Sequence, residues 1–268
     1  MHASSVFRDG LLDGRTAVVT GGGTNLGRAA AFELHACGAR VVIAGRTEEV
    51  LEATAGEIGC DYVVGDIRDP DGAAAIAAAA GPSMDLLVNN AGGQYFVPAE
   101  SITAKGWAAV MRLNVEGTMT MTEAALPALR AASGTVVNVT VSPHHGMPAM
   151  AHTGAARAAV EALTRELAAE WAERNIAVVA AAIGRFDTES LRKYPEVVLR
   201  GVARSVPLQR LGRMEEFGWL IAMLAAPTGR ELDGTVVTLD GGVDNWTGPW
   251  PPPTLMDDAG AVPTEERR

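Results

Sequence analysis

Short apolar runs alternate along this chain with longer segments whose apolar residues recur at helical spacing. Apolar runs at 17–19, 41–44, 135–140 and 235–239 predict strands, and further strands are expected before Gly65, around Leu87 and before Gly184. Helical spacing predicts helices over Arg28–Cys37, Glu48–Ile58, Gly72–Ala80, Thr103–Arg130 and Thr153–Arg174. This alternation predicts an α/β fold, with right-handed crossovers covering both faces of a parallel sheet.

We expect seven strands in a single doubly wound Rossmann domain over residues 1–245. At 268 residues and 48% hydrophobic composition, the chain is long enough to bury the core of such a domain. Pro249, Pro251, Pro252 and Pro253 predict an extended C-terminal arm over residues 246–268. Ligands of such sheets bind beyond the carboxyl ends of the strands.

Residues 20–27, TGGGTNLG, join the first predicted strand to the first helix. Glycines let the backbone approach a pyrophosphate, and the helix start supplies free N–H groups and a positive dipole end. The turn therefore indicates a dinucleotide site.

An ordered set of motifs resembles the short-chain dehydrogenase/reductase family over about residues 10–245. After the opening turn, in which Asn25 replaces the middle glycine, come GDI at 65–67, LVNNAG at 87–92, LNVEGT at 113–118 and LDGG at 239–242. Asparagine tolerates the left-handed backbone region, so the turn is expected to survive that exchange. Residues 89–107 and 152–158 resemble the branch of the peroxisomal trans-2-enoyl-CoA and 2,4-dienoyl-CoA reductases. That branch implies reduction of a conjugated thioester by NADPH.

The end of the second strand indicates which cofactor is used. Dehydrogenases that use NAD usually carry an acidic residue there, whereas this chain has Ala44-Gly45-Arg46. A guanidinium at this point favours a 2′-phosphate, so we predict NADPH. The resemblance implies a cofactor site formed by Gly21, Gly23, Thr24, Asn25, Leu26, Gly27, Arg46, Asp66, Ile67, Asn90, Ala91, Gly92, Arg157, Gly184, Phe186 and Thr188. It also implies a substrate lid at about residues 190–205.

The catalytic residues of that family are changed in this chain. The usual tetrad is asparagine, serine, tyrosine and lysine, and the matching residues here are Asn114, Val141, Thr153 and Arg157. An alkanol holds its proton far more tightly than a phenol of pKa about 10, so Thr153 is not expected to act as the acid. Arg157 is able to hold ribose hydroxyls and stabilise negative charge, but it does not shuttle protons.

Charge stabilisation suits the reduction of an enoyl thioester, because hydride addition at the β-carbon leaves an enolate oxygen. The candidate catalytic residues are Asn114, Thr140, Ser142, Arg157, His152 and Tyr95. His144, His145 and His152 have no carboxylate or cysteine within their loop, so no metal site is expected. They are expected to form supporting hydrogen bonds, and His152 also suits proton delivery.

Composition excludes several partners. A formal net charge of −10 argues against nucleic acid, and no apolar run approaches the roughly 20 residues that span a membrane. The two cysteines lack metal-ligand spacing and are expected to be free thiols in the cytoplasm. Ala155, Ala159 and Ala162 permit close helix approach, and the family resemblance implies a homotetramer.

Three functions remain open from the sequence. The first is NADPH-dependent reduction of an acyl thioester or related enone as the small-molecule substrate. The second is a carbonyl reductase or alcohol dehydrogenase with a relocated proton donor, such as Tyr95 or His152. The third is a cofactor-binding protein that performs no redox step or catalyses a non-redox rearrangement.

Overall fold

The computed structural model describes residues 3–192 and 201–245. Its strands are β1 (Thr16–Thr20), β2 (Arg40–Gly45), β3 (Asp61–Val64), β4 (Leu86–Asn89), β5 (Thr135–Val141), β6 (Ala177–Ile183) and β7 (Val236–Leu239). They form one seven-stranded sheet in the order β3-β2-β1-β4-β5-β6-β7, and every pairing is parallel. The predicted fold class is confirmed. The strand order reverses between β1 and β4, which opens a crevice beyond the carboxyl ends.

Helices cover both faces of this sheet. The described residues include α1 (Asn25–Ala36), α2 (Glu48–Ile58), α3 (Pro70–Ala79), α4 (Ala104–Met111), α5 (Gly117–Ala132), α6 (Ala151–Trp171), α7 (Glu189–Arg192) and α8 (Met214–Ala225). Helices α1 and α8 pack together on one face, and α3 packs against α5 on the other.

Two hydrophobic cores separate the sheet from its helical layers. Val19 of β1 belongs to the core that contains Leu34 and Phe217, whereas its neighbour Val18 belongs to the core that contains Ile76 and Met121. Successive residues of a strand point to opposite faces. Both faces are therefore buried, which explains why the strands are continuous apolar runs.

The long helix predicted over Thr103–Arg130 is two helices joined by a π turn. Helix α4 ends at Met111, α5 begins at Gly117, and Arg112–Glu116 form the turn between them. Such turns are frequent at functional sites because they shift the side chains of a helix out of register. Here the turn contains Asn114, which is fully buried.

Other helix ends differ from the predictions by a few residues. Helix α1 begins at Asn25 rather than Arg28, and α6 begins at Ala151 rather than Thr153. The predicted arm at 246–268 and residues 193–200 of the predicted lid lie outside the described residues. The described flanks of that lid, 191–192 and 201–204, are helical. Among the helices of residues 3–192 and 201–245, none combines the length and apolar character that crossing a membrane requires.

Candidate active site

A cleft of about 1240 Å³ lies beyond the carboxyl ends of the strands. The predicted site residues that line it are Gly21, Gly23, Thr24, Asn25, Leu26, Gly27, Arg46, Asp66, Ile67, Asn90, Ala91, Gly92, Tyr95, Thr140, Ser142, Arg157, Gly184, Phe186 and Thr188. The predicted catalytic residues Asn114 and His152 are fully buried and lie behind the wall of the cleft. The fold thus gathers residues from most of the chain into one site.

The glycine turn forms a close-fitting cradle at the start of α1. Gly21 has a φ of 64°, and Asn25 has a φ of 45°, so asparagine does adopt the left-handed conformation expected of it. A Cβ atom at Gly27 would lie 2.2 Å from the Gly21 carbonyl oxygen, which leaves no room for a side chain. Thr24 makes no side-chain cap at α1, and the first turn has no acidic residue. The free N–H groups there fit an anionic phosphate.

Asn90 ties the loop after β4 to this turn. Its side-chain amide donates to the carbonyl oxygens of Thr20 at 3.0 Å and Gly21 at 3.3 Å. The Thr20 hydroxyl in turn accepts from the backbone N–H groups of Asn90 and Ala91. The two loops that flank the reversal of strand order are therefore held together.

Cationic groups surround the end of the cleft next to β2 and β3. Arg46 is exposed at the end of β2 and lines the cleft. Arg68 makes two-pronged hydrogen bonds to the Asp66 carboxylate and, with a smaller contribution from Arg46, lowers the pKa of that carboxyl to about 2. Sequence reasoning overlooked Arg68, although its position two residues after the aspartate is a signal for such a pair.

Arg157 is a buried cation on the cleft wall. One guanidinium nitrogen donates to the Val139 carbonyl oxygen at 2.7 Å, and another lies so close to Gly92 that a Cβ there would be 2.4 Å away. Its Nε has no hydrogen-bond partner in the part of the chain that the structure describes. Burial lowers the pKa of Arg157 to about 10, which still leaves it positively charged at neutral pH.

Asn114 holds the backbone that faces this cation. Its side-chain amide donates to the carbonyl oxygens of Gly93 and Val110, and its oxygen accepts from the Gly93 N–H. The π turn therefore places Asn114 as a positioning residue for the loop after β4.

The first turns of α6 carry buried polar groups that have no partner among residues 3–192 and 201–245. The Thr153 hydroxyl and both ring nitrogens of His152 are buried without a hydrogen bond. The Tyr95 ring covers His152 edge-on, with 4.4 Å between ring centroids, and the Tyr95 hydroxyl lies against Gly106. Tyr95, which is 39% exposed, thus separates His152 from the cleft that it lines.

The loop that carries His144 and His145 contains no carboxylate of its own, but the fold brings two carboxylates to it from other segments. His144 contacts Asp244 through Nδ1 at 2.5 Å and Glu161 through Nε2 at 3.0 Å. The same Glu161 oxygen accepts the Thr140 hydroxyl at 2.8 Å. The chain segments that bring these carboxylates together are distant in sequence, so the loop alone did not reveal them. Among the described residues, no group of three or more potential ligands is placed to hold a metal ion.

Both hydroxyls that were predicted to stabilise an enolate donate to carboxylates instead. Thr140 donates to Glu161, and Ser142 donates to Asp240 in a very short hydrogen bond. Sequence reasoning also missed Arg185, a half-buried cation that lines the cleft two residues after the end of β6. A basic residue so soon after a strand end was the available signal.

Comparisons with known proteins agree with this arrangement. The family described as enoyl-(acyl carrier protein) reductase matches residues 22–244. A probable 2,4-dienoyl-CoA reductase of Bacillus subtilis is 31% identical over 90% of this chain and 100% of its own length. A rhamnolipids biosynthesis 3-oxoacyl-(acyl-carrier-protein) reductase of Pseudomonas aeruginosa is 34% identical over 86% of this chain and 96% of its own. The solved Pseudomonas aeruginosa RhlG/NADP active-site complex is 32% identical, has a TM-score of 0.83, and matches over 89% of this chain and 100% of its own.

Proposed function

The chain belongs to the short-chain dehydrogenase/reductase family, and from that premise we propose that it reduces the conjugated double bond of an enoyl thioester or related enone with NADPH. The observation that carries the proposal is the pair formed by Thr153 and Arg157. The position of the usual phenol holds an unpartnered alkanol, and one helical turn later a buried guanidinium reaches the cleft wall. This pair suits the stabilisation of negative charge better than the donation of a proton.

The cradle of the glycine turn supports a dinucleotide. The pyrophosphate fits the N-terminus of α1, where Gly27 leaves no space for a side chain. Arg46, with its free guanidinium at the end of β2, is the residue we assign to the 2′-phosphate of NADPH. The name of one structural neighbour, an NADP complex, is consistent with this choice.

When bound, NADPH supplies the hydride that adds to the β-carbon of the substrate. In this proposal Arg157 holds the ribose hydroxyls next to Gly92 and adds positive charge to the cleft. Asn114 keeps the backbone at Gly93 in place. The apolar residues Phe96, Met147 and Met150 line the same cleft and suit an acyl chain.

Carbonyl reduction is the second candidate. Tyr95 lines the cleft and carries a phenol, which supports a relocated acid. The 3-oxoacyl reductase among the similar proteins also acts, by its name, on a ketone. Proton donation by Tyr95 needs its hydroxyl to leave Gly106 and turn toward the substrate.

A turnover assay with substrate classes side by side distinguishes these functions. NADPH consumption is measured with crotonyl-CoA, with a panel of ketones and without substrate. We expect turnover with crotonyl-CoA and a rate with the ketones that is close to the control. Ketone turnover without enoyl turnover would favour the second candidate, and no turnover at all would favour a protein without redox activity.

The cofactor assignment has its own measurement. We expect wild type to bind NADPH more tightly than NADH, and Arg46→Ala to remove that preference by weakening NADPH alone, because the variant lacks the cation assigned to the 2′-phosphate. Fluorescence titration measures the dissociation constants of NADPH and NADH for both proteins, and their ratio gives the preference. Equal affinities in wild type would contradict the assignment.

We also propose a cytoplasmic location for the protein. The thiols of Cys37 and Cys60 are free, which fits a reducing compartment.

A further inference from the structure

Arg185 is a cation in the cleft that has no direct hydrogen-bond or ion-pair partner among the described residues. It is half-buried, and its side chain makes no hydrogen bond or ion pair with any residue in 3–192 or 201–245. Burial lowers the pKa of Arg185, and the charge of Asp240 offsets part of that effect. A guanidinium stays charged at neutral pH and offers five N–H donors. Half-burying such a group without a partner is unfavourable, so an anionic oxygen in the cleft would be strongly bound.

Asp240, the carboxylate whose charge acts on Arg185, is already occupied. One of its oxygens accepts from the Ser142 hydroxyl and from the Asp244 N–H at 2.7 Å. The other accepts from the Gly242 N–H at 2.8 Å. Asp240 thus acts on Arg185 through its charge and makes no direct hydrogen bond to it, which leaves the guanidinium N–H groups available to a ligand.

The backbone that carries Arg185 is held by hydrogen bonds and by a packed aromatic ring. The Gly212 N–H donates to the Arg185 carbonyl oxygen at 2.8 Å, and the Asp187 N–H donates to the Gly212 carbonyl oxygen at 3.0 Å. Between them Phe186 is buried and packs edge-on against Phe217. The point from which the Arg185 side chain extends into the cleft is therefore held in place by its neighbours.

Other donors on the cleft wall are less available. The hydroxyls of Thr140 and Ser142 donate to carboxylates. Arg157 donates to the Val139 carbonyl oxygen and lies against Gly92, on the side of the cleft assigned to the cofactor. Two arginines that line the cleft make no side-chain hydrogen bond within the described residues, Arg46 and Arg185. Arg46 lies at the end of β2 and is assigned to the 2′-phosphate, so Arg185, beyond the end of β6, is the one available to the substrate.

We propose that Arg185 is a catalytic residue that binds the substrate carbonyl oxygen and stabilises the enolate formed in the reduction. This inference rests on the proposed function. The β-carbon gains a hydride from NADPH, the electron pair of the C=C bond forms a new bond between the α-carbon and the carbonyl carbon, and the carbonyl oxygen takes the negative charge. A proton from water then adds to the α-carbon, the carbonyl bond re-forms, and the products are the saturated thioester and NADP⁺.

Steady-state kinetics with crotonyl-CoA test this role. Loss of one donor to an oxyanion lowers kcat by about 10²–10³-fold, so we expect Arg185→Gln to lose about 100-fold in kcat with KM changed less than about threefold. Arg185→Lys keeps the charge and should recover at least about tenfold of that loss. Arg174→Gln removes an exposed arginine of the same charge, whose ion pair with Glu170 is 4.0 Å long, and should keep wild-type kinetics. A wild-type kcat in Arg185→Gln, or a defect confined to KM, would overturn the role.

A second measurement needs no turnover. Acetoacetyl-CoA is a 1,3-dicarbonyl thioester whose enolate absorbs in the near ultraviolet, and it cannot be reduced in a complex with NADP⁺. Wild type with NADP⁺ should increase the enolate absorbance on binding it, and Arg185→Gln should abolish that increase. An equal increase in both proteins would show that another group binds the oxygen.

The two measurements separate failure of this inference from failure of the proposed function. If wild type reduces crotonyl-CoA and Arg185→Gln keeps both its kcat and its enolate band, the inference is wrong and the function stands. If wild type reduces no enoyl thioester but shows an enolate band that depends on Arg185, the function is wrong and the oxyanion site stands. Absence of both turnover and band overturns both.

Discussion

Single polar atoms identify the active site most directly. Five buried side-chain atoms in the described part of the chain have no hydrogen-bond partner, and four of them belong to His152, Thr153 and Arg157 at the start of α6. Buried polar groups in folded proteins are nearly always paired, because an unpaired one costs free energy. Because these unpaired groups are concentrated on two turns of one helix, they indicate a functional site rather than a contribution to stability.

Thr153 provides a test of that interpretation. Thr153→Val removes a hydroxyl that has no partner, so we expect the free energy of unfolding to stay the same or rise by about 1 kcal/mol. Thr164→Val on the same helix is the matched control, because its hydroxyl accepts from Asn138 and donates to Val160. This control should lower the free energy of unfolding by about 1–3 kcal/mol. Denaturant unfolding of both variants measures the difference.

The rate of Thr153→Val answers a separate question. A bystander hydroxyl contributes about 0.5–1.5 kcal/mol, which corresponds to roughly a 2- to 13-fold loss in kcat. A loss of a thousandfold or more would mean that Thr153 takes part in the chemistry, contrary to the proposed mechanism.

At the scale of elements, His144 fastens the loop after β5 to two other parts of the fold. Glu161 belongs to α6, and Asp244 lies in the short helical turn after β7, where His145 also approaches it at 3.9 Å. Partial burial alone would lower the pKa of His144, but the hydrogen bond to Asp244 and the charge of Glu161 outweigh it and raise that pKa. The carboxyl of Asp244 is affected in the opposite sense: burial would raise its pKa, and the contacts with His144 lower it.

This fastening should depend on pH. The pKa of His144 is higher in the folded protein than in the unfolded chain, so its contacts stabilise the fold fully at pH values below the unfolded-state pKa of about 6.5. This stabilisation disappears as the pH rises through the folded-state pKa of His144. The lowered pKa of Asp244 preserves the contact until the pH falls below about 4. We expect the free energy of unfolding lost in His144→Gln to be larger at about pH 6 than at about pH 8.5.

A double-mutant comparison provides the control. His144→Gln is also made in an Asp244→Asn background. There the difference between its losses in unfolding free energy at the two pH values should be smaller, because one of the two carboxylates that contact His144 is gone. If His144→Gln alone lowers the free energy of unfolding equally at both pH values, the role assigned to His144 is wrong.

At the scale of the whole molecule, an apolar groove of about 520 Å³ lies on the outside of α6. Val115 and Met119 line one side of it, and Ala159, Ala162 and Leu163 line the other. Small side chains let a second helix approach closely. We propose that this surface is where the chain assembles into the predicted homotetramer, or at least a homodimer.

Light scattering tests the assembly. Wild type should show a mass of two or four chains at micromolar concentration. Ala162→Arg should shift it toward 27.9 kDa, the mass of one chain, because a long side chain in place of alanine keeps a second helix from approaching closely. Ala53→Arg places the same charge on the exposed part of α2 and should leave the mass unchanged. A wild-type mass of one chain throughout that range would reject the interface.

The sequence by itself determined the features that depend on local pattern. The alternation of apolar runs and helical segments predicted the parallel sheet, because both faces of such a sheet must be buried. The glycine turn predicted the cradle at α1, including the left-handed Asn25, because conformation there depends on residues that are adjacent in the chain. The matching of Asn114, Thr153 and Arg157 to a family pattern located the candidate site.

Only the tertiary structure decided which polar groups meet. Ser142 and Asp240 are 98 residues apart, and His144 and Asp244 are 100 residues apart. Their contacts depend on how the ends of β5, β6 and β7 lie side by side, which no local periodicity specifies. This arrangement occupies the hydroxyls that sequence reasoning assigned to the enolate. It also places Arg185 in the cleft without a direct partner among the described residues, since Asp240 acts on it through its charge and hydrogen-bonds to other groups.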